Sequence, residues 1–96
     1  DRVNGGTDAD LVRGGPGDDI VRGGQGRDLV LGNAGDDRLA GNAGPDRLRG
    51  GPGNDILSGH AGNDVLIGNG GTDRASGGAG GSDLCDAEIR SFSCER

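Results

Sequence analysis

The 96-residue chain contains no Trp, Tyr, Met or Lys, and its one aromatic residue is Phe92. Hydrophobic residues make up only 29% of it. A chain this poor in large apolar side chains cannot offset its ordering entropy by burial alone, so it needs an external source of folding free energy or stays disordered. Basic residues are scarce: ten Arg stand against sixteen acids, a net charge of −6. That balance argues against nucleic acid, whose phosphates want a basic surface. No apolar run is long enough (about 18 residues) to span a membrane as a helix. No signal peptide is evident. The chain opens on Asp1 rather than Met, so a processed piece or fragment of a longer protein is expected. Only two cysteines are present, Cys85 and Cys94. An even pair in a small, core-poor chain predicts a disulfide and an oxidising compartment, against the alternative of two free thiols.

What is abundant is glycine, 24 residues, and aspartate, which supplies fourteen of the sixteen acids. Both recur with a period of nine. With Gly5 as position one, Gly14, Gly23, Gly32, Gly41, Gly50, Gly59, Gly68 and Gly77 follow in frame. Position six is Asp10, Asp19, Asp28, Asp37, Asp46, Asp55, Asp64 and Asp73. Position eight is Val12, Val21, Val30, Leu39, Leu48, Leu57, Leu66 and Ala75. Position four is Gly17 and its successors, with Asp8 the exception. The frame extends back to Asp1 at position six and Val3 at position eight. The array therefore opens in mid-repeat, and further repeats are expected upstream. After Gly77 the frame slips by one, then resumes with Asp83 at six and Cys85 at eight. A last unit, Ala87 to Glu95, has lost its glycines but keeps Cys94 at eight. The expected organisation is a repeat array over 1–86 and a degenerate capping unit over 87–96.

Positions one to six are turn-like, because glycine tolerates positive φ. Positions seven to nine fit a three-residue strand, with position eight on one face and seven and nine on the other. The pattern predicts an all-β fold: a right-handed parallel β-roll, a β-solenoid with two units per revolution and two short-stranded parallel sheets. Position eight fills the gap between the sheets. Residues two units apart are then vertical neighbours at about 4.8 Å. Asp1, Asp19, Asp37, Asp55 and Asp73 line one edge; Asp10, Asp28, Asp46, Asp64 and, after the slip, Asp83 line the other. Carboxylates about 5 Å apart repel unless a cation lies between them. Calcium accepts six to eight oxygens in flexible geometry, whereas magnesium demands a small octahedron. Zinc wants His or Cys ligands, which the turns do not offer.

The pattern resembles the RTX, or haemolysin-type, calcium-binding nonapeptide repeat (GGxGxDxUx), across residues 1–86. The resemblance implies calcium held between turns of successive revolutions, with the ten aspartates just named as side-chain ligands. It also implies ligating carbonyls at positions one, two and four. In this sequence these are Gly14, Gly15 and Gly17; Gly23, Gly24 and Gly26; Gly32, Asn33 and Gly35; Gly41, Asn42 and Gly44; Gly50, Gly51 and Gly53; and Gly59, His60 and Gly62. One ion per stacked pair of loops gives about seven Ca2+. Type I-secreted members carry few cysteines and a longer C-terminal signal, whereas only ten residues follow Asp86 here. Export by a cleaved signal upstream is the expectation instead.

The plainer reading of the aspartates is turn formation on a solvated edge. It leaves unexplained why position six never varies while position five does: Ala9, Asp18, Arg27, Asp36, Pro45, Asn54, Asn63, Thr72. Asp18 and Asp36, in that variable slot, are expected to point to solvent. His60 has no nucleophile or second His in register to build a triad and reads as a turn residue. The glycines do not make a phosphate loop, which would need a Lys and a following helix. Cys85 and Cys94 fall on opposed inward slots, where a bridge would stabilise by roughly 2–3 kcal/mol and block the last sheet edge; a redox switch is the functional alternative. Position seven is outward and uneven. Leu11, Leu29, Arg47, Val65 and Leu84 form one row and Arg2, Ile20, Arg38, Ile56 and Arg74 the other. The first row could be an interaction surface or simple strand propensity. Together these features predict a non-enzymatic, calcium-binding structural module of a secreted bacterial protein. It would fold on calcium outside the cell and stabilise or aid export of its parent, without needing to oligomerise. A calcium-dependent adhesion module, or one binding ice or carbohydrate, is the alternative; the turn Asn residues are irregular and no Thr ladder accompanies them.

Overall fold

The structure, a computed structural model, describes residues 1–78 and the backbone of 84–87. Every described strand is part of one of two parallel sheets, and the chain alternates between them with each repeat. The first sheet holds β1 (Arg2–Gly6), β3 (Ile20–Gln25), β5 (Arg38–Ala43), β7 (Ile56–Ala61) and β9 (Arg74–Ser76), in that spatial order. The second holds β2 (Leu11–Arg13), β4 (Leu29–Leu31), β6 (Arg47–Arg49), β8 (Val65–Asn69) and β10 (Leu84–Ala87), ordered β10-β8-β6-β4-β2. This is the expected β-solenoid.

Register follows the repeat. Arg2 pairs with Ile20, Ile20 with Arg38, Arg38 with Ile56 and Ile56 with Arg74, each two units on. Leu84 pairs with Val65, one residue beyond that spacing, so the frame slip after Gly77 is absorbed between β9 and β10. Cys85 is thereby set opposite Leu66, in the position-eight row. The proposed Cys85–Cys94 bridge, the capping unit 87–96 beyond Ala87, and Asp83 lie outside the described residues.

The core is the predicted row. Val12, Val21, Val30, Leu39, Leu48, Leu57, Leu66 and Ala75 are all at most 4% exposed, with Val3 packed against them. Because side chains alternate along an extended chain, positions six, eight and one face the same way. Aspartate, aliphatic and glycine therefore form one inward triplet in each unit. Two expectations need correction. Strands β3, β5 and β7 continue through positions one to three rather than stopping at nine, because glycine and its left-handed successors still pair across the first sheet. And position one is not a positive-φ site: among the described turns that conformation belongs to positions two and four.

Candidate metal centre

The position-six aspartates are not on a solvated edge. Asp19, Asp28, Asp37, Asp46, Asp55, Asp64 and Asp73 are all at most 4% exposed. Burying a row of carboxylates is costly unless each is hydrogen-bonded or paired. Half of that requirement is met by the backbone. Oδ1 of Asp28, Asp37, Asp46, Asp55, Asp64 and Asp73 accepts the N–H of the aspartate two units earlier at 2.8–2.9 Å. Asp19 completes the series, taking the N-terminal ammonium of Asp1 at 2.7 Å. Each carboxylate thus latches one coil to the next.

The other oxygen is left over. Oδ2 of Asp10, Asp19, Asp28, Asp37, Asp46 and Asp55 is buried and has no hydrogen-bond partner. It lies against the position-one glycine of its own unit. A Cβ on Gly14 would meet Oδ2 of Asp19 at 2.9 Å, and one on Gly23 would meet Oδ2 of Asp28 at 2.6 Å. Gly32, Gly41, Gly50, Gly59 and Gly68 are as tight or tighter against Asp37, Asp46, Asp55, Asp64 and Asp73. Glycine at position one is therefore a steric demand of the carboxylate. It brings the two ends of each six-residue turn together around Oδ2.

Positions two and four have a different reason. Gly15, Gly24 and Gly51 have φ of 95–103°, and the four substitutes at position two, Asn33, Asn42, His60 and Asn69, adopt φ of 68–75°. The variable side chain there thus sits on an unvarying left-handed backbone, which Asn accepts better than His. Position four is stricter. Gly17, Gly26, Gly35, Gly44, Gly53 and Gly62 all have φ of 100–123°. From Gly35 onward, a Cβ at position four would also collide with the position-four carbonyl of the coil before. The described turn hydrogen bonds are accepted by the carbonyls of positions three, six and nine, such as Ala34, Asp10 and Leu31. The position-four carbonyls of Gly17, Gly26, Gly35 and Gly44 accept none of them.

Burial shows in the protonation equilibria. Burial pushes the Asp55 carboxyl up to about 7; the Asp37 N–H opposes this, and the charges of Asp73, Asp37 and Asp36 add to it. Asp46 is pushed up to about 6, again chiefly by burial, with the Asp28 N–H opposing and Asp28 and Asp64 adding. Asp37 is raised for the same leading reason. The carboxylate ladders are thus short of positive charge.

Among the described residues no three His, Cys, Asp or Glu side chains converge on one point. The carboxylates are strung along the roll, so any ion here must be completed by backbone oxygens. An all-oxygen donor set, an orphaned buried carboxylate oxygen in each turn from Asp10 to Asp55 and carbonyls free of ladder bonds fit a hard, adaptable cation. The side chains of Asp10, Asp19, Asp28, Asp37, Asp46 and Asp55 could hold it, with Asp64 and Asp73 in equivalent places. Asp1 donates its N-terminal nitrogen to the ladder, and its side chain is exposed.

Sequence reasoning missed a second ladder. The exposed position-five side chains of Asp18 and Asp36 do more than face solvent. Oδ1 of Asp18 accepts the N–H of Asp36, Asp36 that of Asn54, and Oδ1 of Asn54 that of Thr72, each at 2.8 Å. The signal was present as Asp, Asp and Asn recurring two units apart. On the opposite edge the slot holds Ala9, Arg27, Pro45 and Asn63, which hid it.

Sequence comparison agrees with this geometry. The RTX calcium-binding nonapeptide repeat, described as four copies, matches residues 1–30, 31–66 and 49–84. Among curated proteins, no individual sequence matches the chain significantly.

Proposed function

The chain belongs to the family of RTX calcium-binding nonapeptide repeats, and from that premise we propose that it is a calcium-dependent folding module of a larger secreted bacterial protein. A calcium-binding role follows from the family. The finer reading is that calcium supplies the folding free energy, and it rests on the orphaned Oδ2 of the buried aspartates. Without a cation, rows of carboxylates about 4.8 Å apart are desolvated with only one oxygen satisfied. With calcium, binding free energy becomes folding free energy.

The ligand set is the position-six aspartates from Asp10 to Asp73, joined by turn carbonyls, with Asp83 continuing the second edge. About seven ions would complete the stack, one per pair of loops. Sites of this kind suit millimolar extracellular calcium rather than the cytosol. The chain would stay extended during export, fold outside the cell and stabilise the upstream parts of its parent. A Cys85–Cys94 bridge would close the far end. No catalytic role is assigned to it.

The test is a calcium titration followed by far-ultraviolet circular dichroism. The expected result is a disordered spectrum in excess chelator and a β spectrum at millimolar calcium. A chain equally folded in chelator sinks the reading.

A further inference from the structure

Charge is partitioned in this fold in a way that net charge conceals. The position-six acids from Asp19 to Asp73 are inside the roll, and the exposed acids among the described residues are Asp8, Asp18 and Asp36 on turns and Asp1 beside Arg2. The outer face of the first sheet is built from two rows. Position seven reads Arg2, Ile20, Arg38, Ile56, Arg74, and position nine reads Asn4, Arg22, Ala40, Ser58, Ser76. No acid stands in either row. Arg2, Arg22, Arg38 and Arg74 are all exposed. Among the described residues, the one ion pair is between the Asp1 ammonium and Asp19, so none of these guanidiniums is paired. Folding gives them no task.

Their spacing is regular. The register Arg2–Ile20–Arg38–Ile56–Arg74 sets an arginine on every second strand, roughly 9–10 Å apart along the roll axis. A shallow groove runs beside that row. One recess of about 290 Å³ is lined by Arg2, Asn4, Ile20 and Arg22. The next, about 220 Å³, shares Ile20 and Arg22 and continues to Arg38, Ile56 and Ser58.

We propose that this face binds a linear uronate-bearing polysaccharide, laid along the groove with its carboxylates on successive arginines. Guanidinium forks match carboxylates bidentately. A polysaccharide with one uronate per disaccharide presents its charges at a separation comparable to that of the arginine row. Ile20 and Ile56, between the arginines, offer apolar surface to the C–H faces of the sugar rings, and Asn4 and Ser58 offer partners to its hydroxyls. Other polyanions fit less well. Duplex DNA repeats its phosphates at about 3.4 Å of axis per strand, much closer than the arginines. Single strands need aromatic platforms, and none lies on this face. A fluid lipid surface has no fixed spacing to match. The inference rests on the calcium reading in one respect: bound ions cancel the interior carboxylates, whose field would otherwise repel a polyanion.

The test uses the full chain in millimolar calcium, titrated calorimetrically with hyaluronate oligosaccharides and with carboxyl-reduced hyaluronate as the uncharged control. Two variants lose equal charge: Arg22→Gln/Arg38→Gln/Arg74→Gln on this face, and Arg13→Gln/Arg47→Gln/Arg49→Gln on the other. Loss of three charge-assisted contacts should weaken binding by roughly tenfold or more in the first variant and by less than about threefold in the second. The carboxyl-reduced chain should not bind. Equal losses in both variants, no binding of hyaluronate, or binding of phosphatidylserine vesicles or duplex DNA in its place would overturn the proposal. Circular dichroism of the same samples separates the two readings. Calcium-independent folding with a face-specific loss removes only the folding role, and calcium-driven folding with no face-specific loss removes only this proposal.

Discussion

At the scale of single residues, aspartate and glycine are one device. The carboxylate of Asp55 hands Oδ1 to the Asp37 N–H and keeps Oδ2 inside the turn, against Gly50. Asp55→Asn keeps an oxygen for that N–H and removes the charge. It should raise the calcium concentration at half-folding severalfold while making the chelated chain easier to fold; identical calcium midpoints would contradict the assignment. Glycine substitutions should separate by mechanism. Gly17→Ala meets open space and carries only backbone strain, about 1–3 kcal/mol. Gly53→Ala adds a collision with the Gly35 carbonyl and should cost clearly more in a denaturation series at saturating calcium. Acidity gives a further check. Asp46 and Asp55 have folded-state pKa values of about 6 and about 7, above the ordinary 3.8. The metal-free folded state therefore binds more protons than the unfolded chain, so its stability rises as pH falls through 7 to 4 and is lost as pH rises again. In excess chelator, the β signal should grow on acidification from pH 8 to pH 5. Acid unfolding over that range would show that burial of these carboxylates is misassigned.

At the scale of the repeat, each unit adds one short strand and one inward aliphatic residue, too little to stand alone. Coils hold together through parallel ladders, the Oδ1 latches and one layer of core. Leu57 is wholly buried between its neighbours Leu39 and Ala75 in the first sheet and the facing row. Leu57→Ala should destabilise by about 2–5 kcal/mol. With folding linked to calcium as proposed, the loss should appear as a higher calcium midpoint in the circular dichroism titration, with no change in the folded spectrum. An unchanged midpoint would mean that the aliphatic row contributes nothing to the linkage. The exposed Asp18–Asp36–Asn54 ladder reinforces one edge of the roll. That edge is also where the longer strands of the first sheet begin.

At the scale of the whole molecule, stability is a sum over stacked units and their interfaces, so folding should propagate along the array rather than switch on as one block. The proposed cation stack would also decide the sign of the molecule. From a net charge of −6, about seven divalent ions would carry it past zero. Electrophoretic mobility should therefore reverse between chelator and saturating calcium; a chain that stays anionic holds fewer than half that number. The acids neutralised are interior, so the exposed arginines of both outer faces would then dominate the surface.

The nine-residue period alone determined the fold, the core row and the two carboxylate ladders. Each follows from local rules: glycine for turns, alternation for facing, and identical units for stacking. Leu39, Leu48 and Leu57 could be assigned to the core from spacing because a solenoid has no long-range topology to guess. What the sequence could not decide depends on which atoms meet across coils. It did not show that Oδ1 is taken by a backbone N–H while Oδ2 is stranded, since that requires the height of one coil above another. It did not show that Gly50 is glycine for want of space whereas Gly53 is glycine for φ as well. And the net charge of −6 did not show where the charges sit, because a sum over residues cannot record that the fold turns the aspartates from Asp19 to Asp73 inward and leaves its arginines outside.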